Sequence, residues 1–485
     1  MKKILVAILG VGFLYRILFL GKRQLWTEEL MQALVAQSSS LEEMMSRLYG
    51  GVPSPAPLDY FVQKCFVFVL GDANWALRFH AVILGTLSLW FFFRIGKQLF
   101  NGRVALYATA LLAFYPLHYH YSQEGRPLAL VVLLTLISFD LLLREFAGRN
   151  SGRKRWTALA LVLVLLLYSS LLGILVLAAQ LSCLIASASL AAKLRSKAAS
   201  GSGSEGMPDL SSARWKHVFA YVLAAMTACV LFIPWMHYLW GSPAIPQAEP
   251  GAHFRLLLGF VREIGDNSPF VVVLLIAGVI AGSRALLLHC RKQALLWLLT
   301  WSGVLVLGIV ILDILSEGWY ANRYLLLVVP PLILIAGYGL SYVGERMTIL
   351  DELPYRMSSP AFVYLGMLVL ASAWIAQSHW KKEPVDWRGA AGFLQQTIRP
   401  GDTVAMPKIY PLLEYYAPSL EEFRVGDLDP GPALLGNGNV KRRFVVCLNE
   451  IHPDPCTAFR VAAGKNRAWG RLESLRGFTL YVREK

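Results

Sequence analysis

The chain has 485 residues, of which 56% are hydrophobic and 16% charged, and its formal net charge is +15. Soluble domains average about 25% charged residues, and apolar runs of bilayer length recur here along most of the sequence, which excludes a soluble globular protein. Nucleic-acid binding, the other reading of a basic chain, needs one contiguous basic face. Here the charge is split among short loops between apolar segments, the pattern of a polytopic membrane protein with basic cytoplasmic loops.

Residues 4–20 follow Lys2 and Lys3 and read as an uncleaved first span running from inside to outside, because 21–24 is a poor cleavage context. Residues 21–73 then form an external juxtamembrane loop carrying Glu28, Glu29, Glu42, Glu43, Asp59 and Asp72. Within it, 28–49 reads as interfacial amphipathic helices and 53–57 breaks the chain. The apolar run 58–70 is short for a span and is laid along the outer surface. Spans follow at 74–96, 104–118 and 127–146, and the run 156–194 splits near Tyr168-Ser169-Ser170. A Gly/Ser-rich cytoplasmic linker, 201–206, precedes a span at 217–236 and an external loop at 237–266. The last spans fall at 267–283, 293–313, 323–342 and 359–377, for about eleven in all. With the N-terminus in the cytoplasm, as the basic loops place it, that number puts the tail outside; the expected location is a cell inner (plasma) membrane.

The composition changes at Trp380. Asp386 can cap a helix whose apolar face is Trp387, Ala390, Ala391, Leu394 and Ile398. A turn at Arg399-Pro400-Gly401-Asp402 leads to a strand at 403–406, with further strands at 443–447 and 478–482. The expected organisation is a transmembrane domain, 1–378, and a small extracytoplasmic α/β domain, 379–485. Cys447 and Cys456 lie in this tail, where an external location would let them pair. The other four cysteines show no metal-ligand spacing.

Three polar clusters stand at external span ends: Trp26-Thr27-Glu28-Glu29, Tyr121-Ser122-Gln123-Glu124-Gly125-Arg126, and Asn322-Arg323-Tyr324. Adjacent acids also suit an ordinary helix start, and Arg126 before Pro127 could be a snorkelling side chain. Taken together, on one side of the membrane, they read as carboxylates facing cations. Arginine reads phosphate through its planar fork, so Arg126 and Arg323 are candidates for a donor-phosphate clamp, with Tyr121, Gln123 and Glu124 lining the substrate. His118 and His120 lack a third ligand for a metal. No P-loop, dinucleotide fingerprint, catalytic triad or zinc-protease motif occurs.

The order of these motifs, with Ala56-Pro57-Leu58-Asp59-Tyr60 and Ala76-Leu77-Arg78-Phe79 between them, resembles membrane GT-C glycosyltransferases. The nearest branch is the protein O-mannosyltransferase and lipid A aminoarabinose transferase superfamily, in its broad bacterial form. The resemblance covers 1–345, and the tail is similar to the external domain of many bacterial members. It implies an all-α polytopic GT-C fold with a small C-terminal extracytoplasmic α/β domain. The family's Gln-Glu-x-Arg carries over onto Gln123, Glu124 and Arg126, whereas Glu28-Glu29 stands where the family usually has Asp-Glu.

The expected activity is transfer of a hexose or pentose from a polyprenyl-phosphate carrier to a lipid, glycan or protein acceptor, with inversion at the anomeric carbon. A departing lipid phosphate needs cations and no general acid, which suits Arg126 and Arg323. The acceptor needs a base, Glu28 or Glu29. No cofactor is expected; a divalent metal lacks support in the sequence. The alternative is a lipid or sugar transporter or flippase without transferase activity. That class buries its charges near the midplane and often carries inverted repeats, neither of which is visible here.

Overall fold

The computed structural model describes residues 1–49, 56–146, 152–199, 210–240, 253–315, 322–346, 359–381, 386–406, 416–417, 419–420, 424–427, 442–448, 469–475 and 478–484. Helix α1 (Lys2–Ile17) is followed by three helices of the juxtamembrane loop, α2 (Thr27–Ala36), α3 (Leu41–Tyr49) and α4 (Leu58–Leu70). The body continues with α5 (Asn74–Leu99), α6 (Gly102–Ala113), α7 (Pro116–Tyr121), α8 (Leu128–Phe146), α9 (Arg153–Ser169), α10 (Gly173–Ala199) and α11 (Leu210–Trp240). It closes with α12 (His253–Ile264), α13 (Pro269–Leu288), α14 (Lys292–Leu315), α15 (Val329–Arg346) and α16 (Ser359–Lys381).

Six of the described helices, in α5, α10, α11, α13, α14 and α16, are long and apolar enough to cross a membrane by length and composition. Helices α6 and α15 are apolar but shorter. The expected span at 104–118 is two pieces, because Pro116 lacks an N–H and cannot continue α6; it starts α7 instead. The expected span at 323–342 opens as a 3-10 turn, Asn322–Leu327, before α15, so Arg323 stands on that turn and not at an α-helix N-terminus. The split in the run 156–194 falls where the reading placed it, between Ser169 and Gly173.

Local chemistry explains the element ends. Asn101 accepts from the N–H groups of Arg103 and Val104 at 3.0 and 2.9 Å and caps α6. Ser268 caps α13, with Pro269 at its first position. Helices α13 and α15 approach closely because Gly278 and Gly282 face Gly339; a Cβ on Gly339 would sit 3.0 Å from the Gly278 carbonyl oxygen.

The tail is the small α/β unit expected. Asp386 caps α17 (Trp387–Thr397) through Gly389 N–H at 2.8 Å, and Trp387, Ala390, Ala391 and Leu394 are all buried. The strands are β1 (Thr403–Met406), β2 (Arg424–Asp427), β3 (Arg442–Leu448), β4 (Trp469–Leu475) and β5 (Phe478–Glu484), in the order β2-β1-β3-β5-β4. Strand β1 is parallel to both neighbours, while β5 runs antiparallel to β3 and β4. Cys447 on β3 is disulfide-bonded; Cys456, named with it from the sequence, lies outside the described residues.

Two apolar cores result. The large one fills the helical body. The second joins Leu25, Leu30 and Ala33 around α2, and Leu77 at the start of α5, to Trp387, Leu394, Val404, Phe444 and Leu480 of the tail. Helix α2 is thereby fixed between the body and the tail.

Candidate functional site

Consecutive residues on an α-helix point about 100° apart. At the N-terminus of α2 this sends Glu29 inward and Glu28 to the side. Glu29 is 1% exposed and meets Arg78, in the second turn of α5. The Arg78 guanidinium donates from Nε to Glu29 Oε1 at 2.8 Å and from Nη2 to Oε2 at 2.6 Å. Its remaining donors reach the carbonyls of Leu20 and Arg23, at 2.9 Å each, and Gln24, at 3.0 Å. All five donors are used, and the link between α1 and α2 is stitched to α5. Glu29 also accepts from Gly125 N–H at 2.8 Å and from Trp26 N–H at 3.4 Å. Burial alone would raise the Glu29 carboxyl, but the Arg78 charge and hydrogen bonds, Arg23 and the Gly125 N–H outweigh it and hold the group down at about 2. Glu29 is held as an anion with its lone pairs occupied.

Glu28 has a different setting. Its side chain is 23% exposed, and Oε2 receives both Arg126 Nη2, at 2.7 Å, and Arg323 Nη1. Arg126 is nearly buried, and its Nε and Nη1 have no hydrogen-bond partner among the described residues. Arg126 stands one residue before Pro127, where the 121–126 turn enters α8, and Arg323 comes from the 3-10 turn before α15. Elements almost 300 residues apart in the chain, α2 and the turn at Arg323, thus meet at one carboxylate.

The other expected site residues take supporting positions. Glu124 is buried, accepts from His120 Nε2 at 2.9 Å and lies 3.7 Å from Arg23. Burial opposes each charge of this pair, yet mutual attraction wins, lowering the Glu124 carboxyl and raising the His120 imidazole from their ordinary values. Gln123 turns away from the carboxylates and donates to the carbonyls of Arg16 and Leu18, at 2.7 and 3.1 Å, closing the end of α1. Tyr121 is buried with its ring edge-on to His120. A small pocket opens beside this layer, lined by Phe19, Arg23, His120, Gln123 and Asp266 among others; Glu28, Arg126 and Arg323 do not line it.

His118 and His120, weighed as metal ligands, are engaged separately: His118 lies between Arg16 and Ser88, and His120 pairs with Glu124. Among the described residues no three His, Cys, Asp or Glu side chains converge for a metal. Sequence reasoning gave no role to Arg78, Arg23 or the Gly125 N–H. Arg78 stood in the Ala76-Leu77-Arg78-Phe79 motif without a role, and its signal was a charge inside a span-length helix.

Residues 54–204 match the family model described as dolichyl-phosphate-mannose-protein mannosyltransferase. No curated protein matches the sequence. The fold matches ArnT from Cupriavidus metallidurans in the apo state, with a TM-score of 0.64 and 12% identity over 98% of this chain and 97% of that one. ArnT bound to undecaprenyl phosphate matches with a TM-score of 0.60 at 12% identity, over 98% of this chain and 97% of that one. The archaeal oligosaccharyltransferase AglB from Archaeoglobus fulgidus, in complex with an inhibitory peptide and a dolichol-phosphate, matches at 0.52 and 11% identity over 91% of this chain and 69% of that one. The chain has the ArnT-like GT-C fold, and the resemblance read from its motifs, to the protein O-mannosyltransferase and lipid A aminoarabinose transferase superfamily, is borne out.

Proposed function

We propose that the chain is an inverting glycosyltransferase that moves a sugar from a polyprenyl-phosphate carrier to a hydroxyl or amine of a lipid, glycan or protein acceptor. The reaction takes place on the extracytoplasmic face. The observation that supports this most is Glu28 held between Arg126 and Arg323, with two unpartnered buried donors on Arg126. A carboxylate there stands in for an anion that two arginines are built to bind. The undecaprenyl phosphate and dolichol-phosphate bound to the similar folds are anions of that kind.

The chemistry follows from the arrangement. The donor phosphate takes over the two guanidinium groups, and Glu28 is released from them to face the acceptor. The acceptor O–H or N–H gives its proton to the Glu28 carboxylate as its heteroatom forms a bond to the anomeric carbon. The bond from that carbon to the phosphate oxygen breaks on the opposite face, and polyprenyl phosphate leaves as an anion held by Arg126 and Arg323. One displacement inverts the anomeric carbon. No cofactor takes part.

Glu29 was a second candidate base. Its carboxylate is saturated by Arg78, Gly125 and Trp26, so its role is to position α2 and the 121–126 turn around Glu28. Gln123 likewise positions α1. The test is a transfer assay with the purified chain, a polyprenyl-phosphate sugar and acceptor extracts. The reading expects release of polyprenyl phosphate coupled to an inverted glycosidic product. Donor movement across vesicles without any glycosidic product would instead support the transporter.

A further inference from the structure

Helix α5 carries a second, unrelated pattern. Arg78 marks the site end; Arg94 lies sixteen residues on, about 24 Å along the axis, at the other end of the span. There a cleft with about 2390 Å³ of empty space, continuous with the exterior, opens between α5, α8, α9 and the start of α14. Its lining includes five cations: Arg94, Lys97, Arg144, Arg155 and Arg291.

Two buried carboxylates stand behind this wall. Asp140 takes Arg94 at 2.6 Å and Arg144 at 3.2 Å, and Glu145 takes Arg155 at 3.3 Å. These pairs hold the wall in place and leave it cationic. Lys97 and Arg291 are exposed and have no ion-pair partner among the described residues. Positive charge at span ends ordinarily faces water. Here it rims a cleft that also contains Trp90 and Trp297.

The spacing on α5 gives the shape of the occupant. Leu87, Trp90, Arg94 and Lys97 follow one another at steps of three and four residues and so share one helix face. Leu87 and Trp90 are 46% and 43% exposed. Along one stripe the surface runs from aliphatic to aromatic to cationic, the order of acyl chain, glycerol interface and phosphate in a phospholipid. We propose that this cleft is a binding site for an anionic phospholipid, its phosphate held by Lys97 and Arg291 and its acyl chains along Leu87 and Trp90. The site is separate from the carboxylate–arginine site at the other end of α5.

The test is native mass spectrometry of the purified full chain, titrated with phosphatidylglycerol and, separately, with phosphatidylethanolamine of the same acyl chains. Phosphatidylglycerol should bind at least about tenfold more tightly. The double variant Lys97→Gln with Arg291→Gln should bind it at least about tenfold more weakly, since each cation supplies a charge-assisted contact. Lys97→Arg should keep it. Neither glutamine change touches an ion pair, and Trp90→Ala, at an exposed position, gives a second variant that should also lose lipid. Unchanged thermal stability in detergent without lipid confirms that the variants fold. Equal binding of the two lipids, or full phosphatidylglycerol binding by the double variant, overturns the proposal. Displacement by millimolar inorganic phosphate identifies a free-phosphate site and overturns it too, as does stronger binding of undecaprenyl phosphate at the same residues.

Discussion

Glu29→Gln isolates the electrostatic anchor of the site. Glutamine keeps the shape and one acceptor oxygen, but it turns an N–H₂ toward the Arg78 guanidinium and leaves that buried charge uncompensated. Losing one partner of a buried ion pair costs about 3–5 kcal/mol. The titration gives a second figure: a carboxyl held at about 2 in place of 4.5 links about 3 kcal/mol of folding free energy to its ionised form. The folded value is depressed, so this stability is fully present above pH 4.5 and is lost as pH falls towards 2. At pH 3 less than half of it remains. Thermal unfolding of both proteins in detergent, between pH 7 and pH 3, reads the difference. The variant should be less stable by about 3 kcal/mol at pH 7, and the gap should fall below half that by pH 3. A gap that does not change with pH, or no gap at pH 7, refutes the assignment of Glu29 as a buried anion.

Glu28→Gln should abolish transfer while donor binding stays nearly intact, and Glu28→Asp should keep measurable turnover; single-turnover kinetics with labelled donor distinguish the two. Arg126→Ala and Arg323→Ala should each weaken donor use by roughly 10- to 150-fold in kcat/KM, the loss of a charge-assisted bond worth about 1.5–3 kcal/mol, and unchanged donor kinetics in both would reject the clamp. Because Glu124 raises the His120 imidazole, the imidazole's contribution is fully present below pH 6.5, while Glu124 stays ionised, and is lost as pH rises through the raised value; His120→Asn should flatten this part of the stability profile. Trp387→Ala should cost about 3–5 kcal/mol in the tail core and should also reduce transfer, measured beside a folding control, because that core includes α2.

The spans were legible because apolar runs of bilayer length have one physical meaning, and α17 because its cap and apolar face follow helical spacing. The break between α6 and α7 was passed over because Tyr115-Pro116 sits inside a run whose hydropathy does not change. Strands β2 and β4 went unread: β2 is four residues long, and β4 carries Arg471, Glu473 and Ser474, which mask any apolar alternation. Glu28, Arg126 and Arg323 stood out as polar residues at span ends. What separates Glu28 from Glu29 is the rotation of α2 against α5, set by Arg78, 49 residues away from Glu29. Periodicity carries no record of such a pairing.

The second core also sets an order of events. Leu25, Leu30 and Ala33 are made long before the surfaces that cover them, from Trp387 to Leu480. Domains fold in sequence as the chain emerges, but the apolar side of α2 has no complete neighbour until β5 is formed. The body can therefore pack while the apolar side of α2 is still uncovered, and a chain interrupted before Trp387 would lack the surfaces that hold that helix in place. Packing of the tail is thus a late step for a site whose carboxylate, Glu28, is made early.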